Sequence, residues 1–364
     1  MNLERCLRNA LAALIMPMIL VACSDSNVES VDQQTPGGRA GYTQLVAFGD
    51  SLSDVGTYNP TTGDANPAND TPIGLMFTTK PGGTWPTYVA ANLGLPLAPN
   101  RQVNFGVVGQ SGRVIELGGT GYAEGGARIE VDVPGDGVVT QTVPGVGSVP
   151  VQAATRRSIK TQIDDYLAEH GNAFREDQLV LIQGGANDFF QFFANTPPAD
   201  LPALTPAFLN TTVTAMVRQL GRLRAAGARH IVYANLPDLG LTPQFRAQGP
   251  TVAALATQLS DAYNGAVAQQ VAGQGIMVFD IAALIREVVA APATLGLTNV
   301  TTPACNSYTT PGNPATLSAL ICSADTLVAP GAGATYLFAD GVHPTDRAHA
   351  VWGGRVAQLV LAPR

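Results

Sequence analysis

The chain has 364 residues, 46% of them apolar, and a formal charge of −7. That apolar content supports a sizeable core and excludes a disordered chain. The acidic balance argues against nucleic acid as a partner.

In chain order, Arg5 and Arg8 precede an apolar run from Ala10 to Ala22 that is too short to span a bilayer comfortably and ends in Leu20-Val21-Ala22-Cys23. This segment resembles a bacterial lipoprotein signal. The resemblance implies cleavage before Cys23 and lipidation of that cysteine, so that acyl chains rather than a helix hold the protein at a membrane. A plain secretory signal with a chance cysteine is the alternative reading. Residues 1–22 are then the signal peptide, residues 23–42 a polar tether, and residues 43–364 a single domain. In lipoproteins an aspartate after the lipidated cysteine is the usual inner-membrane retention signal. Ser24 stands there instead, which points to the outer membrane.

Val46-Ala47-Phe48 reads as a strand that breaks into the small, polar turn Gly49-Asp50-Ser51-Leu52-Ser53-Asp54. A serine at the carboxyl end of a strand in an open α/β sheet lies on the ligand-binding rim, so Ser51 has a nucleophile's position. The same stretch also fits a strand end with Ser51 or Ser53 capping a helix. A loop rich in Pro, Asn, Thr and Gly follows from Asn59 to Gly83. A helical pattern then runs from Trp85 to Leu93 and stops at Gly94. Residues 103–151 are too rich in Gly and Val for helix and read as short strands and turns.

Ile159, Ile163, Tyr166 and Leu167 predict a helix stopped by Gly171, and Leu179-Val180-Leu181-Ile182 a buried parallel strand. A helix from Pro206 to Ala226 leads to a strand at His230–Ala234, a helix from Val252 to Val271 to a strand at Ile276–Phe279, and a last helix spans Pro344 to Leu361. This alternation predicts one doubly wound parallel sheet. With Cys6 in the signal and Cys23 lipidated, Cys305 and Cys322 remain as a pair around a Pro, Gly, Asn and Thr-rich loop, and an exported compartment permits their disulfide.

An activated serine needs a base, and four histidines are available. His170 ends a helix, His230 opens a strand, and His349 lies within the last helix. His343 differs, because Asp340 precedes it by three residues and can hold the second imidazole N–H. Asn187, in Gln183-Gly184-Gly185-Ala186-Asn187-Asp188 just after a buried strand, can offer an amide N–H on the same rim as Ser51. Its alternative role is a helix cap. No serine lies in G-x-S-x-G, and no G-x-G-x-x-G, Walker or H-E-x-x-H motif occurs.

Phe48-Gly49-Asp50-Ser51-Leu52-Ser53-Asp54, Gly185-Ala186-Asn187-Asp188 and Asp340-Gly341-Val342-His343-Pro344, in this order, resemble the sequence blocks of the GDSL or SGNH hydrolases. The resemblance implies a flavodoxin-like doubly wound parallel sheet in a three-layer α/β/α arrangement. It makes Ser51 the nucleophile, His343 the general base, Asp340 its orienter and Asn187 an oxyanion donor beside the Ser51 N–H. The remaining block fits two places. Asn104-Phe105 with Gly109 has the family spacing, whereas Tyr122-Ala123-Glu124-Gly125-Gly126-Ala127-Arg128 is closer to the bacterial lipase-like branch, which makes Gly126 the preferred oxyanion glycine.

The expected activity is hydrolysis of carboxylic esters, lipids among them, through an acyl-serine, with no cofactor and no metal. An acyltransferase with the same triad, or an inactive surface-binding lipoprotein, are the rival expectations.

Overall fold

The computed structural model describes residues 41–362, except 61–74, 108–113, 136–137, 144–146, 153–155 and 306–318. The signal segment, Cys23 and Gly109 lie outside the described residues. Tyr42, placed at the end of the tether by the sequence reading, is buried in the core and meets His230 edge-on at a centroid distance of 5.0 Å.

Four parallel strands form the centre: β1 (Gln44–Phe48), β2 (Gln178–Gln183), β3 (His230–Ala234) and β4 (Ile276–Phe279), paired in that order. On the free side of β1, Ala47 N–H donates to the Thr120 carbonyl and Tyr122 N–H to the Ala47 carbonyl, so residues 120–122 take the place of an outer strand in parallel orientation. Counting that segment, the order in space is the flavodoxin-like one, with the chain reversing direction across the sheet between β1 and β2. Ligands of such sheets bind at the carboxyl ends of those two strands.

Alternation along the strands divides the core into two layers. Val46, Phe48, Val180, Ile182, Ile231 and Tyr233 face a layer built by α2 (Ile159–Glu169), α3 (Ala186–Asn195), α4 (Leu201–Ala225) and α5 (Pro250–Val271). Leu45, Ala47, Leu179, Leu181, Val232 and Ala234 face α1 (Trp85–Leu93), α6 (Ile281–Ala290) and α7 (Asp346–Leu361). The fold is therefore a three-layer α/β/α sandwich on a parallel sheet, as expected.

Helix boundaries follow local chemistry. Ser158 Oγ caps α2 by accepting from Thr161 N–H, Gly94 ends α1 at φ 69°, and Asp280 caps α6 on Ala283 N–H. Three features depart from the sequence expectations. α4 starts at Leu201 rather than Pro206, because Pro202 occupies its first turn and Pro206 is carried inside the helix. α6 was not anticipated, since its apolar start follows β4 after a single residue. A further parallel pair, Asn299–Pro303 with Tyr336–Phe338, leads into the His343 loop. Cys305 and Cys322 are joined, with Cα atoms 5.6 Å apart, as the cysteine count predicts.

Candidate active site

Ser51 sits three residues past β1, where the backbone turns sharply because Gly49 takes φ 149° and a Cβ there would lie 2.4 Å from the Gln183 carbonyl oxygen. Glycine lets the ends of β1 and β2 close up. Both backbone groups of Gly49 are held by one buried side chain, with its N–H donating to Gln162 Oε1 and its carbonyl accepting from Gln162 Nε2, each at 2.9 Å.

His343 Nε2 lies 2.8 Å from Ser51 Oγ, and His343 Nδ1 lies 2.6 Å from Asp340 Oδ2. Asp340 is 1% exposed, and each oxygen accepts two N–H bonds. Oδ1 takes those of Val342 (2.8 Å) and His343 (2.7 Å), while Oδ2 takes that of Ala319 (2.7 Å) besides the imidazole. Burial pushes this carboxyl up, but the adjacent His343 charge and these bonds outweigh it and leave Asp340 below the ordinary carboxylate range. Phe77 stacks on the His343 ring at 5.1 Å and limits its rotation.

The stretch containing Gly126 runs beside β1. Glu124 N–H donates to the Gly49 carbonyl, Gly125 N–H to Asp54 Oδ2, and Tyr58 Oη to the Gly125 carbonyl. Phe77 fills the space where a Gly125 side chain would start, so one ring touches both this turn and the His343 imidazole. Gly126 itself has φ 78°, and a Cβ there would meet Arg156 Cδ at 2.4 Å. The sequence points to Gly126 by its resemblance to the bacterial lipase-like branch. The structure adds a left-handed backbone and the packed Arg156 stem. Among the described residues the N–H groups of Ser51 and Gly126 have no acceptor.

Asn187 is in the first turn of α3, after the N-cap Gly185, and so is not the cap itself. Its Nδ2 donates to the Ala127 carbonyl at 2.9 Å, which ties the end of β2 to the residue after Gly126 and leaves a second amide hydrogen. Next to it, Asp188 accepts from Ile129 N–H (3.0 Å) and Arg128 Nε (3.1 Å). Asn187 and Gly126 thus belong to one bonded unit, and Ser51, His343 and Asp340 form an unbroken hydrogen-bond chain beside it.

Several supporting residues were not legible in the sequence. In the sequence, Asp54 stands out only as the last residue of the block around Ser51. In the structure it is buried and accepts from Gly56 (3.0 Å), Thr57 (2.8 Å) and Gly125 N–H (3.0 Å). Burial pushes Asp54 up to about 7, and does the same to Asp50, which caps Leu52 N–H. Among the described residues no cluster of His, Cys, Asp and Glu is arranged to hold a metal. Glu124 is completely buried between Arg101 Nε and Arg157 Nε, both at 2.7 Å. Asp50 and Asp54 lie within the block around Ser51 and Glu124 within the Tyr122–Arg128 stretch, but neither stretch reveals the partners these carboxyls hold. His349 is buried and accepts from Trp85 N–H at 3.2 Å, which makes it a packing residue.

Residues 45–356 match the model of the GDSL-like lipase/acylhydrolase family. The esterase EstA of Pseudomonas aeruginosa is 27% identical over 296 residues, covering 77% of this chain and 41% of that protein. A GDSL esterase/lipase of Arabidopsis thaliana is 22% identical over 332 residues, covering 84% of this chain and 86% of its own. Among solved structures, phospholipase A1 from Streptomyces albidoflavus superposes with a TM-score of 0.43 at 16% identity, over 88% of this chain and 99% of that one. The chain spans about two fifths of the length of the first curated relatives it matches (39% and 41%). With the family model covering most of its length, the chain belongs to the GDSL-like lipase/acylhydrolase family.

Proposed function

We propose that this protein is a serine esterase that hydrolyses carboxylic esters through an acyl-Ser51 intermediate. The observation that carries the reading is the chain Asp340–His343–Ser51, with contacts of 2.6 and 2.8 Å. His343 Nε2 takes the Ser51 proton as Oγ attacks the ester carbonyl, and Asp340 holds the Nδ1 proton in place and stabilises the imidazolium. The carbonyl oxygen, now anionic, accepts from the unpartnered N–H groups of Ser51 and Gly126 and from the second amide hydrogen of Asn187. His343 returns its proton to the leaving alcohol, and water, activated by the same imidazole, releases the acid.

Fluorophosphonate labelling together with 4-nitrophenyl esters of graded chain length tests this on wild type and Ser51→Ala. Labelling and hydrolysis that both vanish in Ser51→Ala are expected. Undiminished turnover in that variant overturns the proposal, and acyl transfer to an added alcohol in preference to water makes the protein an acyltransferase. Lipid esters fit the further proposal that Cys23 carries acyl chains and holds the domain at the outer membrane of a bacterial cell envelope. Cys23→Ser should then release active protein from the membrane fraction, and continued attachment would contradict anchoring at that residue.

A further inference from the structure

Arg156 is the cation that packs on the proposed oxyanion glycine, and among the described residues its charge has no ion-pair partner. Its backbone is fixed by an antiparallel bridge to Val133, with N–H and carbonyl bonds of 2.9 and 3.0 Å. From there the side chain lies over Gly126: Cδ is 2.4 Å, and Nη1 3.1 Å, from the point a Gly126 Cβ would occupy. Arg156 Nε is buried and has no hydrogen-bond partner, and the side chain makes no ion pair among the described residues. Its neighbours differ. Arg101 and Arg157 share Glu124, and Arg128 is paired with Asp188.

At the turn that holds Gly126, Glu124 is committed to those two arginines and Asp54 to three backbone N–H groups. A guanidinium stays charged at all working pH values, and withdrawing it partly from water with no counter-charge is costly unless something else supplies the anion. Among the described residues no internal group does so, although the chain as a whole is acidic. The guanidinium's planar fork matches an oxyanion held by two parallel bonds.

We infer that Arg156 receives an anionic group of the substrate, a phosphate or a carboxylate carried by the ester close to its scissile carbonyl. This rests on the esterase reading and specifies the substrate class for the same site. Arg156 acts on binding and takes no part in proton transfer, so its effect belongs in KM for charged esters.

Two matched pairs locate the anion. 1-Decanoylglycerol 3-phosphate against 1-decanoylglycerol places it on the alcohol side, and 4-nitrophenyl hydrogen glutarate against 4-nitrophenyl pentanoate places it on the acyl side. In wild type, kcat/KM for the anionic member of one pair should exceed that of its neutral partner. Arg156→Gln should lower that ratio by about ten- to a hundredfold, through KM, as expected for loss of a charge-assisted bond. Arg156→Lys should keep part of it, and thermal melting checks that both variants fold. A ratio unchanged by Arg156→Gln in both pairs overturns the inference, as does a parallel loss on charged and neutral esters, which would assign Arg156 to the oxyanion or to packing. Wild type that hydrolyses esters with no preference for charge overturns the inference alone. Wild type that hydrolyses none of the four overturns the esterase reading and this inference with it.

Discussion

Replacing Asp340 with asparagine tests the division of labour in the triad, because all four lone-pair positions of this carboxylate are occupied by N–H donors. The amide must present its NH2 to one pair of them. Turned towards Val342 and His343, it opposes two backbone N–H groups at positions where the carboxylate accepts at 2.8 and 2.7 Å. Turned the other way, it opposes Ala319 N–H and His343 Nδ1. In that orientation the imidazole can keep the contact only by accepting at Nδ1, which puts its proton on Nε2, facing Ser51, and removes the base. Turnover should then fall by about 10⁴, or ~5 kcal/mol of transition-state stabilisation. Either orientation leaves at least one buried N–H unpaired, which costs about 1–3 kcal/mol of stability. Steady-state hydrolysis of a 4-nitrophenyl ester, normalised to folded protein by circular dichroism, measures the first effect, and a thermal melt the second. A rate within tenfold of wild type would refute this reasoning and require another group to orient His343.

Gly126→Ala forces a methyl group into a left-handed backbone against Arg156 Cδ, so it should lose about 1–2 kcal/mol of stability and, through displacement of the N–H, about 10²–10³ in turnover. Gly109→Ala should leave the rate almost intact, and the opposite pattern in folded proteins would move the oxyanion glycine to Gly109. Burial raises Asp54 to about 7 in the native state, so the native protein holds a proton that the unfolded chain releases between about pH 4 and 7. Stability from this group is therefore present below that window and is lost as pH rises through it. The fall in melting temperature from pH 5 to 8 should be shallower in Asp54→Asn, and equal slopes would show that Asp54 ionises freely. Replacing Cys305 and Cys322 with serine opens a cross-link between positions 17 apart, worth about 3 kcal/mol on the chain-entropy estimate. It also loosens Ala319, whose carbonyl accepts from Cys322 N–H and whose N–H serves Asp340. A lower melting temperature and a reduced kcat are expected, and an unchanged melt would remove the cross-link from the stability of this region.

The central strands were legible because a strand buried on both faces is a continuous apolar run, as in Leu179–Ile182, and the helices between them because their apolar residues recur at helical spacing. α6 was hidden for the same reason, since Ile281-Ala282-Ala283-Leu284-Ile285 prolongs the apolar run of β4 and only the Asp280 cap separates them. At the site, Ser51, Asp340 and His343 could be read because their chemistry restricts residue type and because Asp340 reaches His343 within one turn of chain. The groups that hold them could not be read. Gln162 clamps Gly49 from 113 positions away, and Phe77 stacks on His343 from a segment remote in the chain. On a helix face a buried glutamine looks the same in sequence as an exposed one. Arg156 and Arg157 are adjacent and chemically identical, yet Arg157 is locked to Glu124 while Arg156 has no ion-pair partner among the described residues, a distinction set by tertiary packing.

The most direct test of ester hydrolysis through Ser51 is to trap the intermediate. Wild-type protein mixed with a 4-nitrophenyl ester, quenched in acid within milliseconds and digested, should yield the peptide containing Ser51 heavier by one acyl group, with a matching burst of nitrophenol. An acyl group recovered on another residue, or steady turnover with neither burst nor acylated peptide at any quench time, would contradict a covalent mechanism at Ser51.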